Sequence, residues 1–172
     1  MTSLNPIKAE APVAAPEVPA ADPAVTWLIE LADPAATEDL GYFLAEELRR
    51  GDVVALTGGL GAGKTTLARS IVRALASDPA LEVPSPTFTL VQTYDTPRGP
   101  VVHADLYRTR GAPELAELGW EDALDDGIVL VEWPERAPET LPASRLDVTL
   151  QLAPGGDPVH EGQHSPRRSL NV

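Results

Sequence analysis

The chain contains no cysteine, so it can form neither a disulfide bond nor a metal site built on thiolates. Asparagine occurs twice, at Asn5 and Asn171, which excludes the Asn-Lys-x-Asp motif that reads guanine in GTP-binding switch proteins. No apolar run approaches the roughly 20 residues needed to span a bilayer, and the N-terminus lacks the pattern of a secretory signal. These absences predict a cytoplasmic protein that does not enter a membrane.

Positive charge is also scarce. The chain has 13 basic and 26 acidic residues, and its formal net charge is −13. Strong direct binding to nucleic acid or to an anionic membrane is not expected, because the attraction to phosphate would have the wrong sign. A basic partner, or one that supplies its own RNA surface, remains compatible with this charge. The chain has two lysines, Lys8 and Lys64, and the second lies within a run of glycines.

That run, GGLGAGKTTL over residues 58–67, matches the phosphate-loop (Walker A) pattern G-x-x-x-x-G-K-[ST]. It follows an apolar, β-rich run at 53–57 and precedes Leu67, Ile71 and Leu75 at helical spacing. Glycines let backbone amides wrap a polyphosphate closely, and the N-terminus of the next helix attracts anions. The nucleotide-binding residues predicted from this motif are Gly58, Gly59, Leu60, Gly61, Ala62, Gly63, Lys64, Thr65 and Thr66.

Two side chains of the motif have distinct predicted roles. The Lys64 ammonium would reach the β- and γ-phosphates, and the Thr65 hydroxyl would take a position on Mg²⁺. The alternative is a glycine-rich turn with a solvated lysine, which the strand–loop–helix context disfavours. The motif therefore predicts a nucleoside triphosphate as ligand and Mg²⁺ as cofactor.

The rest of the chain predicts one domain. Residues 1–24 are rich in Ala and Pro without periodicity, which predicts a disordered tail. Residues 25–172 would form a single P-loop domain, with a flexible loop over 153–166. A helix is expected to begin at an N-cap Thr37, and others to span 64–76 and about 113–118. Strands are predicted over 25–31, 53–57, 88–94, 100–104, 128–131, 146–152 and 168–172.

These elements indicate an α/β fold. The wholly apolar run at 128–131 is typical of a central buried strand, whereas 88–94 and 100–104 flank a turn and indicate an antiparallel hairpin. We expect a P-loop NTPase-like, three-layer fold whose mixed sheet has parallel central strands and antiparallel additions.

Acidic residues follow two of the predicted strands, Asp105 after 100–104 and Glu132 after 128–131. Ligands of such sheets bind at the carboxyl ends of the strands, where acids hold Mg²⁺ or orient the attacking water. Asp105 would take the metal side and Glu132 would position or deprotonate water, although the spacing leaves this division open. The alternative is that both acids only solvate a loop or cap a helix. Together with Lys64 they are the predicted catalytic residues, and with Thr65 the predicted metal ligands.

Two neighbours of these acids allow more than one interpretation. His103 is expected to be a buried core histidine, with a hydrogen bond to Asp105 as the alternative. Trp133 would pack over the nucleotide or over a partner, or would fill the core. His160 and His164 lie in a polar stretch and are expected to be solvated.

Four motifs in order resemble the bacterial TsaE (YjeE) family over about residues 26–152: GGLGAGKTT, then SPTFTL at 85–90, HADLYR at 103–108 and VEWP at 131–134. The resemblance departs at Gly59, where the family usually has Asp, and at Phe88, where Tyr is common. The tail 1–24 is additional. The phosphate cradle should tolerate Gly59, but any contact made by that acid would be absent.

The resemblance implies a Mg²⁺-dependent ATPase that acts with TsaB and TsaD to form threonylcarbamoyladenosine (t6A) at adenosine 37 of tRNAs reading ANN codons. TsaD would transfer the threonylcarbamoyl group, and the TsaE-like subunit would hydrolyse ATP to reset the complex. Asp105 would match the metal-site aspartate, Glu132 the Walker-B-like acid and Trp133 its neighbour near the nucleotide. Thr87 would be a switch residue that senses the γ-phosphate. Tyr107 and Arg108 would face the partner.

Two other interpretations remain open at this point. One is a P-loop kinase of a small metabolite or nucleotide, although no arginine-rich lid and no second-substrate pocket can be identified in the sequence. The other is a nucleotide-gated adaptor with little hydrolysis. If the TsaE resemblance holds, tRNA would be reached through the complex rather than gripped by this acidic chain.

Overall fold

The computed structural model describes residues 26–152 and 168–171. Seven strands form one sheet in the order β1-β7-β6-β2-β5-β4-β3. The strands are β1 (Leu28–Leu31), β2 (Val53–Gly58), β3 (Val91–Thr96), β4 (Gly99–Asp105), β5 (Ile128–Glu132), β6 (Leu146–Leu152) and β7 (Arg168–Asn171). The central strands β6, β2, β5 and β4 are parallel, whereas β1, β7 and β3 add antiparallel pairings at the two sides. The predicted mixed sheet is confirmed.

In the described part of the chain, four α-helices cover the sheet: α1 (Pro34–Glu47), α2 (Lys64–Ala76), α3 (Ala112–Glu117) and α4 (Trp120–Asp126). Short 3₁₀ helices span Leu106–Arg108, Pro134–Arg136 and Pro138–Thr140. Within the described residues, no helix has the length and apolar character required to cross a bilayer.

The core has two layers because buried strand residues alternate between the faces of the sheet. Val54, Leu56, Ile128 and Leu130 pack with α1 and α2, in one cluster with Leu67. The other cluster contains Val53, Val102, Val129 and Val131 and packs with Leu115 and Trp120 of α3 and α4. The predicted three-layer arrangement is therefore present, with every residue of β5 buried.

The prediction that Thr37 caps the first helix is wrong. The N-cap is Asp33, whose Oδ1 accepts a hydrogen bond from the Ala36 amide at 2.8 Å, and Pro34 opens the helix. Proline suits the first helical position because it has no amide hydrogen to satisfy there. Thr37 lies fully buried within the first turn.

The hairpin prediction is confirmed, but its first strand begins at Val91 rather than Phe88. Leu90 adopts φ +62°, and its amide bonds to the Pro86 carbonyl at 2.7 Å, so 86–90 is a turn that precedes the strand. The sequence-based predictions for the tail 1–24 and the loop 153–166, which contains His160 and His164, lie outside the described residues.

Candidate nucleotide-binding site

The predicted phosphate loop connects β2 to α2, and its glycines have backbone conformations that require them. Gly63 is the N-cap of α2 at φ +104°, and Gly58 lies at φ +145°. A Cβ atom at Gly58 would collide with the carbonyl oxygen of Leu150 on the neighbouring strand. These residues allow the chain to turn sharply from the sheet into the helix.

Lys64, the first residue of α2, is buried within this loop. Its Nζ donates hydrogen bonds to the carbonyl oxygens of Gly58 at 2.7 Å and Gly59 at 2.9 Å. The ammonium also lies 3.9 Å from the ring centroid of Trp133, a cation–π distance. Burial lowers the pKa of Lys64, and the acidic groups of Glu132, Asp105 and Glu135 offset part of that effect. The loop thus encloses the Lys64 ammonium, and the three acids lie close enough to interact with it electrostatically.

The two predicted acids lie side by side. Asp105 and Glu132 are direct register partners at the ends of the parallel strands β4 and β5, and both are almost completely buried. The Thr65 hydroxyl donates to Oε2 of Glu132 at 2.9 Å, and Oε1 of the same carboxylate lies 2.9 Å from Nε2 of His103. The alternative partner considered for His103, Asp105, is therefore replaced by Glu132.

Asp105 connects the site to the segment before β3. Its Oδ2 accepts a hydrogen bond from the Thr87 hydroxyl at 2.9 Å, and its Oδ1 accepts one from the Tyr107 amide at 3.0 Å. Thr87 also lies 2.8 Å from the Ser85 hydroxyl. The predicted switch residue thus contacts one acid, while the Walker A threonine contacts the other.

These groups surround one open cavity of about 230 Å³. Its lining residues are Leu60, Gly61, Gly63, Lys64, Thr65, Thr66, Ser85, Thr87, Asp105, Glu132 and Trp133. All three predicted catalytic residues, all three predicted metal ligands and the switch residue therefore meet in one place. Gly58, Gly59 and Ala62 do not line the cavity: the first two accept hydrogen bonds from Lys64, and Ala62 is buried in the core.

The polar groups of the cavity suit a hard cation such as Mg²⁺. A hydroxyl and two carboxylates supply the oxygen ligands that this ion prefers, and Mg²⁺ usually keeps several waters and binds substrate phosphates besides. Across the described ranges 26–152 and 168–171, no cluster of three or more His, Asp or Glu side chains is arranged to hold a metal by itself.

A larger surface groove, of about 370 Å³, lies between α1 and the C-terminal end of α2. Its guanidinium groups are engaged with the protein itself, since Arg73 donates to the Leu81 carbonyl and Arg98 to the Ala45 carbonyl. We assign function to the smaller cavity, because it is the one that joins the phosphate loop to the two buried acids.

The family model for threonylcarbamoyl adenosine biosynthesis protein TsaE matches residues 31–156. The chain belongs to the TsaE family. Curated TsaE proteins with similar sequences include that of Nostoc, 41% identical over 133 residues that cover 74% of this chain and 80% of the relative. The TsaE protein of Streptomyces coelicolor is 40% identical over 131 residues, which cover 73% of this chain and 85% of that one.

A solved structure supports the same conclusion. The crystal structure of Bacillus subtilis YdiB matches with a TM-score of 0.66 and 27% identity, over 86% of this chain and 84% of that one. The TsaE resemblance inferred from the four motifs is confirmed, and the sheet of this TsaE family member follows the expected architecture.

The departures of this TsaE chain from the family pattern lie on its surface. A Cβ atom at Gly59 would meet nothing within 4 Å, so the usual Asp would fit without moving the loop. The Phe88 ring is 86% exposed and lies 5.0 Å from the Arg108 guanidinium carbon. Tyr107 is 46% exposed and packs on Trp133 with 4.9 Å between ring centroids. Of the aromatic residues in this group, Trp133 lines the cavity, whereas Phe88 and Tyr107 do not.

Two features of the site were not predicted from the sequence. Ser85 lines the cavity, although the prediction singled out Thr87 in its segment. Trp133 reaches the loop in a left-handed backbone conformation, φ +60°, which a pattern of residue types does not reveal. The Glu-Trp-Pro order could have indicated a sharp turn at Trp133, because Pro134 begins a 3₁₀ helix immediately after it.

Proposed function

We propose that this chain is the ATP-binding and ATP-hydrolysing subunit that supports t6A formation at adenosine 37 of tRNAs reading ANN codons, acting with TsaB and TsaD. One observation carries the proposal: a phosphate loop with Lys64 and Thr65 opens into the same cavity as two buried acids at adjacent strand ends. Membership of the TsaE family supplies the biosynthetic context. A tRNA-modifying role also favours a cytoplasmic location.

Binding would rely on the loop and its helix. The backbone amides around Gly61 and Gly63, together with the N-terminus of α2, would surround the phosphates. Lys64 would exchange its two carbonyl contacts for the phosphate oxygens, which are stronger partners because they carry full negative charge. The Trp133 ring, which contacts the ammonium, would then be free to contact the nucleotide.

The two acids would have different roles in ATP hydrolysis. The Thr65–Glu132 hydrogen bond supports a metal-side role for Glu132, opposite to the division first considered from the sequence. Asp105 contacts Thr87 and would orient the water that attacks the γ-phosphorus, accepting its proton as ADP leaves. Bound Mg²⁺, held by Thr65 and Glu132, would neutralise phosphate charge. Arg108 is the candidate for an arginine finger.

A reconstituted reaction tests the proposal. The chain is mixed with TsaB, TsaD, tRNA, a threonylcarbamoyl donor, ATP and Mg²⁺, and t6A is counted per complex. We expect the complex with the parent chain to form many t6A per complex. With Glu132→Gln or Asp105→Asn, ATP should still bind, but t6A formation should stop after about one turnover. ATP hydrolysis by the isolated chain should be slow and should rise when the partners are added.

Other outcomes of the reconstituted reaction would indicate other functions. Unchanged multiple turnover with the hydrolysis-deficient variants would indicate an adaptor gated by nucleotide binding. Transfer of the γ-phosphate to a small acceptor without the partners would indicate a kinase. A Mg²⁺ titration separates the two acids: Glu132→Gln should raise the Mg²⁺ concentration required for ATP binding, and Asp105→Asn should leave it unchanged.

A further inference from the structure

The buried histidine on β4 has no role in the function proposed so far. His103 is fully buried, and on its face of β4 it lies between Val101 and the buried acid Asp105. Val101, two residues earlier, belongs to the core cluster on the same side of the sheet. An apolar residue would suit this position, so the presence of an imidazole requires a specific reason.

Its hydrogen bonding is one-sided. Nε2 lies 2.9 Å from Oε1 of Glu132, whereas Nδ1 has no hydrogen-bond partner in the described part of the structure. A buried polar atom without a partner destabilises the fold, because its hydration is lost and not replaced. A residue selected only for core packing would not carry this cost, so the contact with Glu132 must account for it.

The contact fixes the orientation of the acid. His103 pairs with Leu130 across the β4–β5 ladder, which places Glu132 two residues further along as its diagonal neighbour on the same face. With Oε1 held by the ring, Oε2 points to the Thr65 hydroxyl in the nucleotide cavity. Because the Thr65 hydroxyl is expected to leave Oε2 when the nucleotide and its cation bind, His103 would be the partner that still holds Glu132 in place.

We propose that His103 is a positioning residue: it donates a hydrogen bond from Nε2 to Oε1 of Glu132 and thereby presents Oε2 to the nucleotide site. An ionised carboxylate only accepts hydrogen bonds, so the ring proton of this contact resides on Nε2. The proposal rests on the proposed function for its kinetic consequence, but not for the tautomer. Hydrogen-bonding partners behind a metal-site ligand typically change metal affinity or activity by about 10- to 100-fold.

The first test does not depend on activity. Imidazole ¹⁵N spectra of the full chain are recorded, and the His103 signals are identified by their loss in His103→Leu. We expect a protonated Nε2 and an unprotonated Nδ1, with the Nε2 signal shifted in Glu132→Gln. A proton on Nδ1 instead, or an Nε2 signal indifferent to Glu132→Gln, would overturn the proposal even if the chain had no ATPase activity.

The second test is a double-mutant cycle. His103→Leu keeps the volume of the side chain and removes the donor, whereas His103→Gln keeps a donor near the position of Nε2. We expect His103→Leu to lower partner-stimulated ATP hydrolysis or to raise the Mg²⁺ requirement about 10- to 100-fold, with partial rescue in His103→Gln. Because Glu132→Gln already stops hydrolysis but retains ATP binding, the cycle is measured as the Mg²⁺ concentration required for ATP binding. In the Glu132→Gln background the same change should alter that concentration by no more than about twofold.

The cycle distinguishes positioning from packing. An equal increase of the Mg²⁺ requirement in both backgrounds, accompanied by a loss of thermal stability, would show that His103 only fills the core and would contradict the proposal. Absence of ATP hydrolysis in the parent chain would instead contradict the proposed function, and the tautomer measurement would still decide the role of His103.

Discussion

At the scale of single residues, Lys64 has the most heavily constrained environment in the site. Its ammonium is bound by two carbonyl oxygens of its own loop and lies over the Trp133 ring. The burial that lowers its pKa would cost less once the fixed negative charge of a polyphosphate lies beside it. Binding of an anion should therefore draw the ammonium away from the loop carbonyls.

We expect Lys64→Ala to weaken ATP binding by about 10- to 100-fold or more, since hydrogen bonds to charged groups contribute about 1.5–3 kcal/mol. The dissociation constant is measured by calorimetry, and circular dichroism checks that the fold is retained. Lys8→Ala is the matched control because it removes the other lysine, in the predicted tail. Unchanged ATP affinity in Lys64→Ala would exclude this loop as the phosphate site.

At the scale of elements, β3 packs its Tyr94 ring toward α2 and leaves the phenol without a partner. Tyr94 packs against the α1–α2 core cluster, and its hydroxyl is buried with no hydrogen bond among the described residues. Burial raises the pKa of Tyr94 above its ordinary value of 10.0, and Arg69 on α2 partly offsets this. The strand thus retains an unpaired hydroxyl, which phenylalanine would lack.

We therefore expect Tyr94→Phe to raise the free energy of unfolding by about 1 kcal/mol at neutral pH. Above pH 10 the unfolded parent loses its phenol proton before the folded parent does, so the stability of the parent falls as the pH rises. The advantage of the variant should then widen. Urea unfolding at pH 7 and pH 10.5 measures both effects. Tyr42 is 40% exposed, so the control variant Tyr42→Phe should change the free energy of unfolding by less than about 0.5 kcal/mol. Destabilisation by Tyr94→Phe would contradict this reading.

The elements also show where sequence reasoning succeeds. Helix α2 and strand β5 were predicted nearly to the residue, because a glycine-to-lysine boundary and a wholly apolar run mark their limits. Helix α3 was predicted although it is shorter than α4, and it has a proline in its first turn, Pro113. Helix α4 was missed: it begins directly after the left-handed Gly119, has no such proline and buries one residue, Trp120. One buried residue gives no apolar periodicity from which a helix could be predicted.

At the scale of the whole molecule, the position of the site followed from the sequence but its contacts did not. The ends of two parallel strands had to meet near the phosphate loop, so the proximity of Asp105 and Glu132 could be predicted. The hydrogen-bond partner of each acid depends on strand register and on side-chain rotamers. The Thr65–Glu132, Thr87–Asp105 and His103–Glu132 contacts therefore became visible only in the structure.

The charge of the whole molecule disfavours direct binding to tRNA. Its formal net charge is −13, and several arginines are already engaged within the protein. Arg69 and Arg98 donate to backbone carbonyls, while Arg50 and Arg145 pair with aspartates. These four arginines are therefore less available to neutralise phosphates, and neutralised phosphates supply most of the affinity of non-specific binding.

The isolated chain should therefore bind tRNA more weakly than about 10⁻⁴ M at physiological salt, the weak end of ordinary non-specific binding. Fluorescence anisotropy of labelled tRNA, titrated at low and physiological salt, measures this affinity. If the chain acts with TsaB and TsaD as proposed, adding them should bring the chain onto tRNA, because its acidic surface would then face a protein rather than phosphates. The opposite outcome is micromolar binding by the chain alone, with an affinity that falls steeply as salt is raised. It would show that a basic surface binds tRNA directly and that the partners are not required to bring the chain to tRNA.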